Sequence, residues 1–344
     1  MDNSIFVFSN KDQPLILERF HICTWEFIDD TSLIEFGFEI SKDSIQGNSL
    51  TISLFVPWIT TSCEKKDLYD KLSIQENIRF IFNDNVINTI PLDGGRNKLG
   101  VIHKFIGRNE LCILPVKLLV EENKIISATI NLQPYLDYNS DHNPNIYFRF
   151  WVKPSIPYIS IRKKGISKST IIYDIKVNER RNIPDDKVEF FSQKELSTIE
   201  SCFSFNILPN KYDIIFFDNS SLKNVRTLEY DSFNKYLGDK RVKKDELIVV
   251  FNKKQKSDSF SFFSIYSKER IGPGHFSLAI LINIFCGILL FIPSYRKSFE
   301  PEMPITLVWK NLPGEIFVAI IIALAMVLFF IWPKIQKYLT NWRD

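Results

Sequence analysis

Glycine, alanine and methionine are scarce in this 344-residue chain, which has 12 glycines and 3 methionines against 30 phenylalanines. Catalytic signatures are missing as well. There is no P-loop, no G-x-G-x-x-G, no H-E-x-x-H and no G-x-S-x-G, so the common phosphate-loop, zinc-protease and serine-hydrolase chemistries have no foothold, and the chain is read as a non-enzyme. The four histidines, His21, His103, His142 and His275, lie far apart without metal-ligand spacing, and no metal is expected. Five scattered cysteines (Cys23, Cys63, Cys112, Cys202 and Cys286) include no C-x-x-C pair, which fits reduced thiols in a cytosol and argues against a disulfide framework. The charge is nearly balanced at +3, so nothing global points to DNA or RNA. The first residues, "MDNSIFVFSNKDQP", contain no basic stretch followed by a long apolar run, and they do not read as a secretory signal.

Roughly 270 residues of mixed polar and apolar sequence come first, and then two uncharged, strongly apolar runs occur in succession. Phe276 to Ile292 and Ile316 to Trp332 each hold 17 residues without a charge. With their flanks they approach the ~20 residues that cross a bilayer. The expected spans are 274–295 and 312–334, joined by a short external loop, 296–311, and followed by a tail, 335–344. Tyr295, Trp309 and Trp332 lie at or near the segment ends, where aromatic belts form. Lys253, Lys254, Lys256, Lys268 and Arg270 precede the first span, and Lys334, Lys337 and Arg343 follow the second. The loop carries Arg296, Lys297 and Lys310, offset by Glu300, Glu302 and Glu315. This bias predicts a multi-pass inner-membrane protein with both termini in the cytoplasm. Neither 17-residue run contains Asp, Glu, Lys, Arg or His, so one hairpin has no ion pathway and a pore would need a homo-oligomer. Gly287, Ala319 and Ala323 are small enough for close helix packing, and the two alanines, four apart on one face, are the expected seam.

Phe, Tyr, Ile, Val and Thr favour pleated, half-buried surfaces, and the first 270 residues read as short strands between turns. Nine strand candidates fall within 1–155. One helix is expected after Thr61 and Glu64, which are spaced as a capping box ahead of Leu68 and Leu72. Further strands, "KVEFFS" among them, and two helices, near "QKELSTIES" and "DSFNKYLG", fill 156–270. The fold expected is mainly β, a sandwich or barrel with few helices. It is divided either into two lobes, 1–155 (ligand-sensing) and 156–270, or left as one continuous sandwich, and it precedes a C-terminal transmembrane hairpin.

Two stretches look like ligand sites. In "PLDGGRNKLG" the adjacent Gly94 and Gly95 let backbone N–H groups approach a phosphate, and Arg96 and Lys98 add charge. In "NIYFRFWVKP" a strand puts Tyr147, Arg149 and Trp151 on one face, able to clamp a phosphate and stack a base, with Phe148, Phe150 and Val152 on the other. Each is equally readable as ordinary surface. The basic run "RKKGISKS" from Arg162 reads as a hairpin tip, either solvated or facing anionic headgroups. Asp174 and Lys176 give half of a nuclease-like D-x-K pattern without its upstream partner.

A cytosolic β-domain, two terminal spans and the basic-aromatic "YFRFWVKP" resemble the transmembrane effectors of the Panoptes anti-phage defence system. The resemblance implies that the β-domain binds a cyclic dinucleotide made by a partner nucleotide cyclase, that bound ligand keeps the effector silent, and that its loss releases membrane damage. Related signalling systems run with the opposite sign. The alternative from another class is a membrane-anchored scaffold whose β-domain binds a protein.

Overall fold

The computed structural model describes residues 4–29, 31–95, 98–121, 124–138, 144–154, 159–218, 220–243, 247–270, 273–299, 301–308 and 310–340, with the side chains of helical residues 273–274 and 329–340 outside the description. Strands β1 (Ser4–Asn10), β2 (Ile16–Glu26), β3 (Ser32–Ile40) and β4 (Ser49–Phe55) come first. Then follow β5 (Lys65–Asp67), α1 (Tyr69–Leu72), α2 (Gln75–Phe82), β6 (Val86–Pro91), β7 (Val101–Phe105) and β8 (Leu111–Ile113). Next are β9 (Val116–Glu121), β10 (Ile125–Asn131), α3 (Gln133–Leu136), β11 (Asn145–Val152), β12 (Ile161–Lys164) and β13 (Lys168–Val177). α4 (Val188–Ser192), β14 (Lys194–Leu196), β15 (Thr198–Ile199), β16 (Ser201–Pro209), β17 (Asp213–Phe217) and β18 (Leu222–Thr227) continue the chain. α5 (Tyr230–Leu237), β19 (Leu247–Gln255) and β20 (Phe260–Glu269) complete the β-rich part, and α6 (Pro273–Lys297), α7 (Ile305–Val308) and α8 (Gly314–Thr340) end it.

Among the described residues the strands form two sheets. The first runs β17-β20-β13-β1-β4-β10-β9, with β12 on β13 and β14 on β1. The second runs β18-β19-β16-β2-β3-β11-β8-β7-β6, with β15 on β2 and β5 on β11. Their inner faces share one core: Val7, Ile52 and Tyr173 from the first sheet meet Phe20, Phe36, Phe38, Phe148 and Phe150 from the second. The protein is thus mainly β, with a sandwich at its centre. Alternation decides which side chains enter that core. In β11, Ile146, Phe148, Phe150 and Val152 point in, and Tyr147 packs with the cluster on the opposite face.

The outer face of the second sheet carries its own apolar layer under α1, α2 and α5. α5 buries Phe233, Tyr236 and Leu237, spaced i, i+3, i+4, and ends where Gly238 adopts a left-handed φ of 66° and donates its N–H to the Asn234 carbonyl at 2.8 Å. On the outer face of the first sheet, Phe191 of α4 packs edge-on against Phe6 and Phe8, at 5.1 and 5.2 Å between centroids.

Several expectations change. The boundary near 155 lies outside the described residues, but the strands on either side of it interleave. β13 pairs in parallel with β1, and β16 in parallel with β2. Residues 1–163 and 170–268 accordingly form one compact unit rather than two lobes. Thr61 and Glu64 do not open a helix: β5 follows them, and α1 starts at Tyr69, whose N–H is accepted at 3.0 Å by Asp67 Oδ1. The helix drawn near "QKELSTIES" is replaced by β14 and β15, and the strand drawn at "KVEFFS" contains α4, because pairing with β1 and β2 and the Phe6–Phe8 surface override local preference.

The second unit comprises residues 164–169 and 269–344. From His275 to Lys297 α6 is long and apolar enough to cross a membrane; the described apolar part of α8, Gly314–Leu328, is shorter. The two helices lie beside each other. On α6 the half-covered residues include Ser277, Leu281, Ile284, Ile288 and Phe291, and on α8 they include Ile316, Ala319, Ile320 and Ala323. These alternate three- and four-residue steps are those of a helix–helix seam. Ala319 and Ala323 therefore sit on the covered side of α8. Gly287 is exposed, and a Cβ there would meet nothing within 4 Å.

Candidate functional site

A cavity of about 410 Å³ lies against the outer face of the second sheet beside α2 and α5, within the size range of small-ligand sites. Strand alternation supplies its base. Arg19, His21 and Cys23 point outward from β2, Phe203, Phe205 and Ile207 from β16, and Val249 and Phe251 from β19. Register aligns them into rows. One row reads Arg149, Gly37, His21, Phe203, Lys253 across β11, β3, β2, β16 and β19; the next reads Trp151, Glu35, Cys23, Phe205, Phe251. Phe80 and Phe82 of α2 and Phe233 and Tyr236 of α5 form the walls, with Lys223, Asn224 and Arg226 of β18 on the rim. Phe80 and Phe233 meet edge to face at 4.3 Å and hold the two helices together.

Phe203 is the centre of this arrangement. Its ring stacks on Phe251 at 5.9 Å and meets the edge of His21 at 4.8 Å. The Arg19 guanidinium lies 5.8 Å from its centroid and the Lys253 ammonium 5.2 Å. Partial burial, followed by the nearby charges of Arg19 and Lys223, pulls the Lys253 pKa below its usual value. Lys253 thus lies within electrostatic reach of both Arg19 and Lys223, which disfavour its positive charge. Arg19 reaches Glu39 at 3.3 Å, but that carboxylate also accepts two hydrogen bonds from Arg108, at 2.9 and 3.0 Å, so one negative charge serves two guanidinium groups. The rim is an anion-attracting surface beside an aromatic one.

The floor is a buried polar network. Glu35 accepts from Trp25 Nε1 at 2.8 Å, from Arg149 Nε at 2.7 Å and Nη2 at 2.5 Å, and from the Tyr236 hydroxyl at 2.9 Å. Tyr147 crosses over Gly37, where an added Cβ would collide with its hydroxyl, and reaches His21 Nδ1 at 3.1 Å. Burial, then Arg149, Arg19 and Arg108, depress the His21 pKa well below the usual imidazole value, so the ring is neutral.

The sequence-expected residues fall in different places. Arg149 lines the cavity, but its charge is matched by Glu35. Tyr147 is fully buried beneath the surface, and Trp151 is half-buried and packs with the outer apolar layer. Gly94 and Gly95 form an exposed turn with φ of 66° and 117°. There Asp93 Oδ2 accepts the Lys98 N–H at 2.7 Å, so a carboxylate already occupies one donor a phosphate would use. None of Gly94, Gly95 and Lys98 lines the cavity, and Arg96 lies outside the described residues. Asp174 and Lys176 pair with each other at 3.3 Å, and no group of three or more His, Cys, Asp or Glu side chains able to hold a metal occurs among the described residues.

Sequence reading missed Phe203, Phe205, Phe251, Arg19, Lys223 and Lys253. Part of the signal was present: "CFSFNI" alternates polar and small residues inward with phenylalanines outward, an aromatic face that needs a partner. No protein-family model matches this chain, and no curated protein matches it.

Proposed function

We propose that this chain is a membrane effector whose sandwich senses a cyclic dinucleotide in the cavity over β2, β16 and β19, and whose α6 and α8 form a two-span hairpin that disrupts the membrane as an oligomer. The observation that carries this reading is the Phe203 ring in the cavity lining with Arg19 and Lys253 beside it. A nucleobase stacks on such a ring with sequence-independent affinity. A phosphate placed beside Lys253 offsets the repulsion it feels from Arg19 and Lys223 and gains charge-assisted hydrogen bonds. The ligand comes from a nucleotide cyclase, and both termini are cytoplasmic at the inner membrane, as the basic flanks favour. Arg149, held by Glu35, shapes the floor and orients α5 through Tyr236.

The test is calorimetry on the full chain in nanodiscs against a panel of cyclic dinucleotides. Phe203→Ala should weaken binding by about tenfold to a hundredfold, the range of one base–aromatic stack. Lys253→Ala should weaken it by about tenfold or more, and the loss should shrink as salt is raised. A parent protein that binds no member of the panel overturns the sensor reading in favour of a protein-binding scaffold.

A further inference from the structure

The tip between β12 and β13 belongs to the same compact unit as α6. It is tied there by Arg270, which lies three residues before Pro273. The Arg270 N–H donates to the Ser167 carbonyl at 2.8 Å, and its Nη1 donates to the Gly165 carbonyl at 2.7 Å. Gly165 N–H closes the turn on the Lys168 carbonyl at 2.8 Å. At the apex stands Ile166, 85% exposed, the most exposed large apolar side chain among the described residues. Lys163, Lys164 and Lys168 are exposed around it. Arg162 is set apart from this group, because its guanidinium is turned inward to the buried Glu26 carboxylate. A turn that met only water would gain nothing from a branched hydrocarbon at its apex. An apolar point ringed by ammonium groups, fixed within three residues of an apolar helix, has the composition of an interfacial anchor.

We propose that this tip is a lipid contact. Ile166 enters the headgroup–acyl boundary of the leaflet from which α6 emerges, and Lys163, Lys164 and Lys168 meet the phosphates of anionic lipids. The proposal rests on reading α6 as a membrane span. It predicts that the tip senses lipid charge, which the uncharged runs 276–292 and 316–332 cannot do.

The full chain is reconstituted in nanodiscs of phosphatidylcholine with and without phosphatidylglycerol. Ile166→Cys in a Cys286→Ser background takes one environment-sensitive fluorophore, since Cys23, Cys63, Cys112 and Cys202 are buried. A blue shift and quenching by lipids spin-labelled near the headgroup are expected, both stronger with phosphatidylglycerol. Replacing Lys163, Lys164 and Lys168 with serine should abolish that lipid dependence. A second reporter, Leu290→Cys in the same background, reads α6 with a quencher deep in the acyl chains. If Leu290 is quenched while the Ile166 probe stays accessible to aqueous iodide, the tip proposal is overturned and the span stands. If Leu290 is not quenched, the span reading fails and the tip proposal with it. Equal quenching at Ile166 in both lipid mixtures, unchanged by the serine variant, overturns the role of the lysines. A thermal melt matching the parent's establishes that each variant is folded.

Discussion

Glu35 and Arg149 form a buried ion pair in which each charge depends on the other. Glu35→Ala removes the acceptor for Arg149, Trp25 and Tyr236 together and leaves a guanidinium without its counter-charge. Loss of one partner of such a pair costs about 3–5 kcal/mol, which chemical denaturation would read directly. Restoring an apolar match with Glu35→Leu and Arg149→Met should recover a large part of that loss. A second pair of residues makes stability depend on pH in opposite senses. Burial raises the Asp67 carboxyl to about 6, despite N–H donors from Val116 and Tyr69. The folded protein therefore keeps a proton that the unfolded chain releases near pH ~3.9, and stability falls by about 2–3 kcal/mol as pH rises through that window. Burial lowers His103 to about 4. Its Nε2 donates to the Leu72 carbonyl at 2.9 Å, so Nδ1 accepts from Thr89 at 2.8 Å. Here the unfolded chain holds the extra proton, and stability rises between pH ~4 and ~6.5. Asp67→Asn should unmask this rise: its stability should climb more steeply than the parent's from pH 4 to 6. A parallel pair of curves would show that Asp67 titrates normally.

α5 closes the cavity by packing and by two side-chain hydrogen bonds. Phe233 meets Phe80 of α2, and Lys71 Nζ donates to the Lys235 carbonyl at 3.0 Å, so α1, α2 and α5 act as one cover. The Tyr236 hydroxyl ties that cover to the charged floor. Tyr236→Phe removes the hydroxyl and keeps the ring. It should cost about 1–2 kcal/mol and raise amide exchange across α5 more than across β2 or β16. Uniform protection would mean that packing alone holds the helix. Elements of this kind were readable from sequence in unequal measure. "DSFNKYLG" announced α5 by its i, i+3, i+4 spacing and following glycine. "KVEFFS" did not announce α4, because two adjacent phenylalanines fit a strand equally well until Phe6 and Phe8 are in place.

In the whole molecule, the sandwich continues into α6 with few intervening residues, from Glu269 to Pro273. The two-span reading predicts that a cysteine at Ser298 is labelled from outside intact cells while both termini are protected. External labelling of the N-terminus would overturn the cytoplasmic assignment of the sensor. Ala319 and Ala323 lie on the half-covered face of α8, whereas Gly287 faces outward. Enlarging both alanines to isoleucine should leave insertion intact and push α8 from α6, reducing depolarisation in the triggered state. Gly287→Ile should leave the hairpin unchanged and weaken only contacts between copies. Depolarisation equal to the parent's in both variants would show that neither surface serves assembly.

The sequence by itself determined the β-rich character, the terminal apolar segments and the two faces of β11, because each follows from periodicity or length within one segment. Alternation alone separated Tyr147, Arg149 and Trp151 from Phe148, Phe150 and Val152. Tertiary structure decided how those faces were used. Glu35 lies 114 residues from Arg149, and its pairing converts a candidate phosphate clamp into a matched charge. The Arg19, Phe203 and Lys253 group comes from three strands brought together by a parallel β2–β16 pairing and an antiparallel β16–β19 pairing. Non-local registry of this kind leaves no periodic trace in any one segment, because it is the shared core of the two sheets that fixes it.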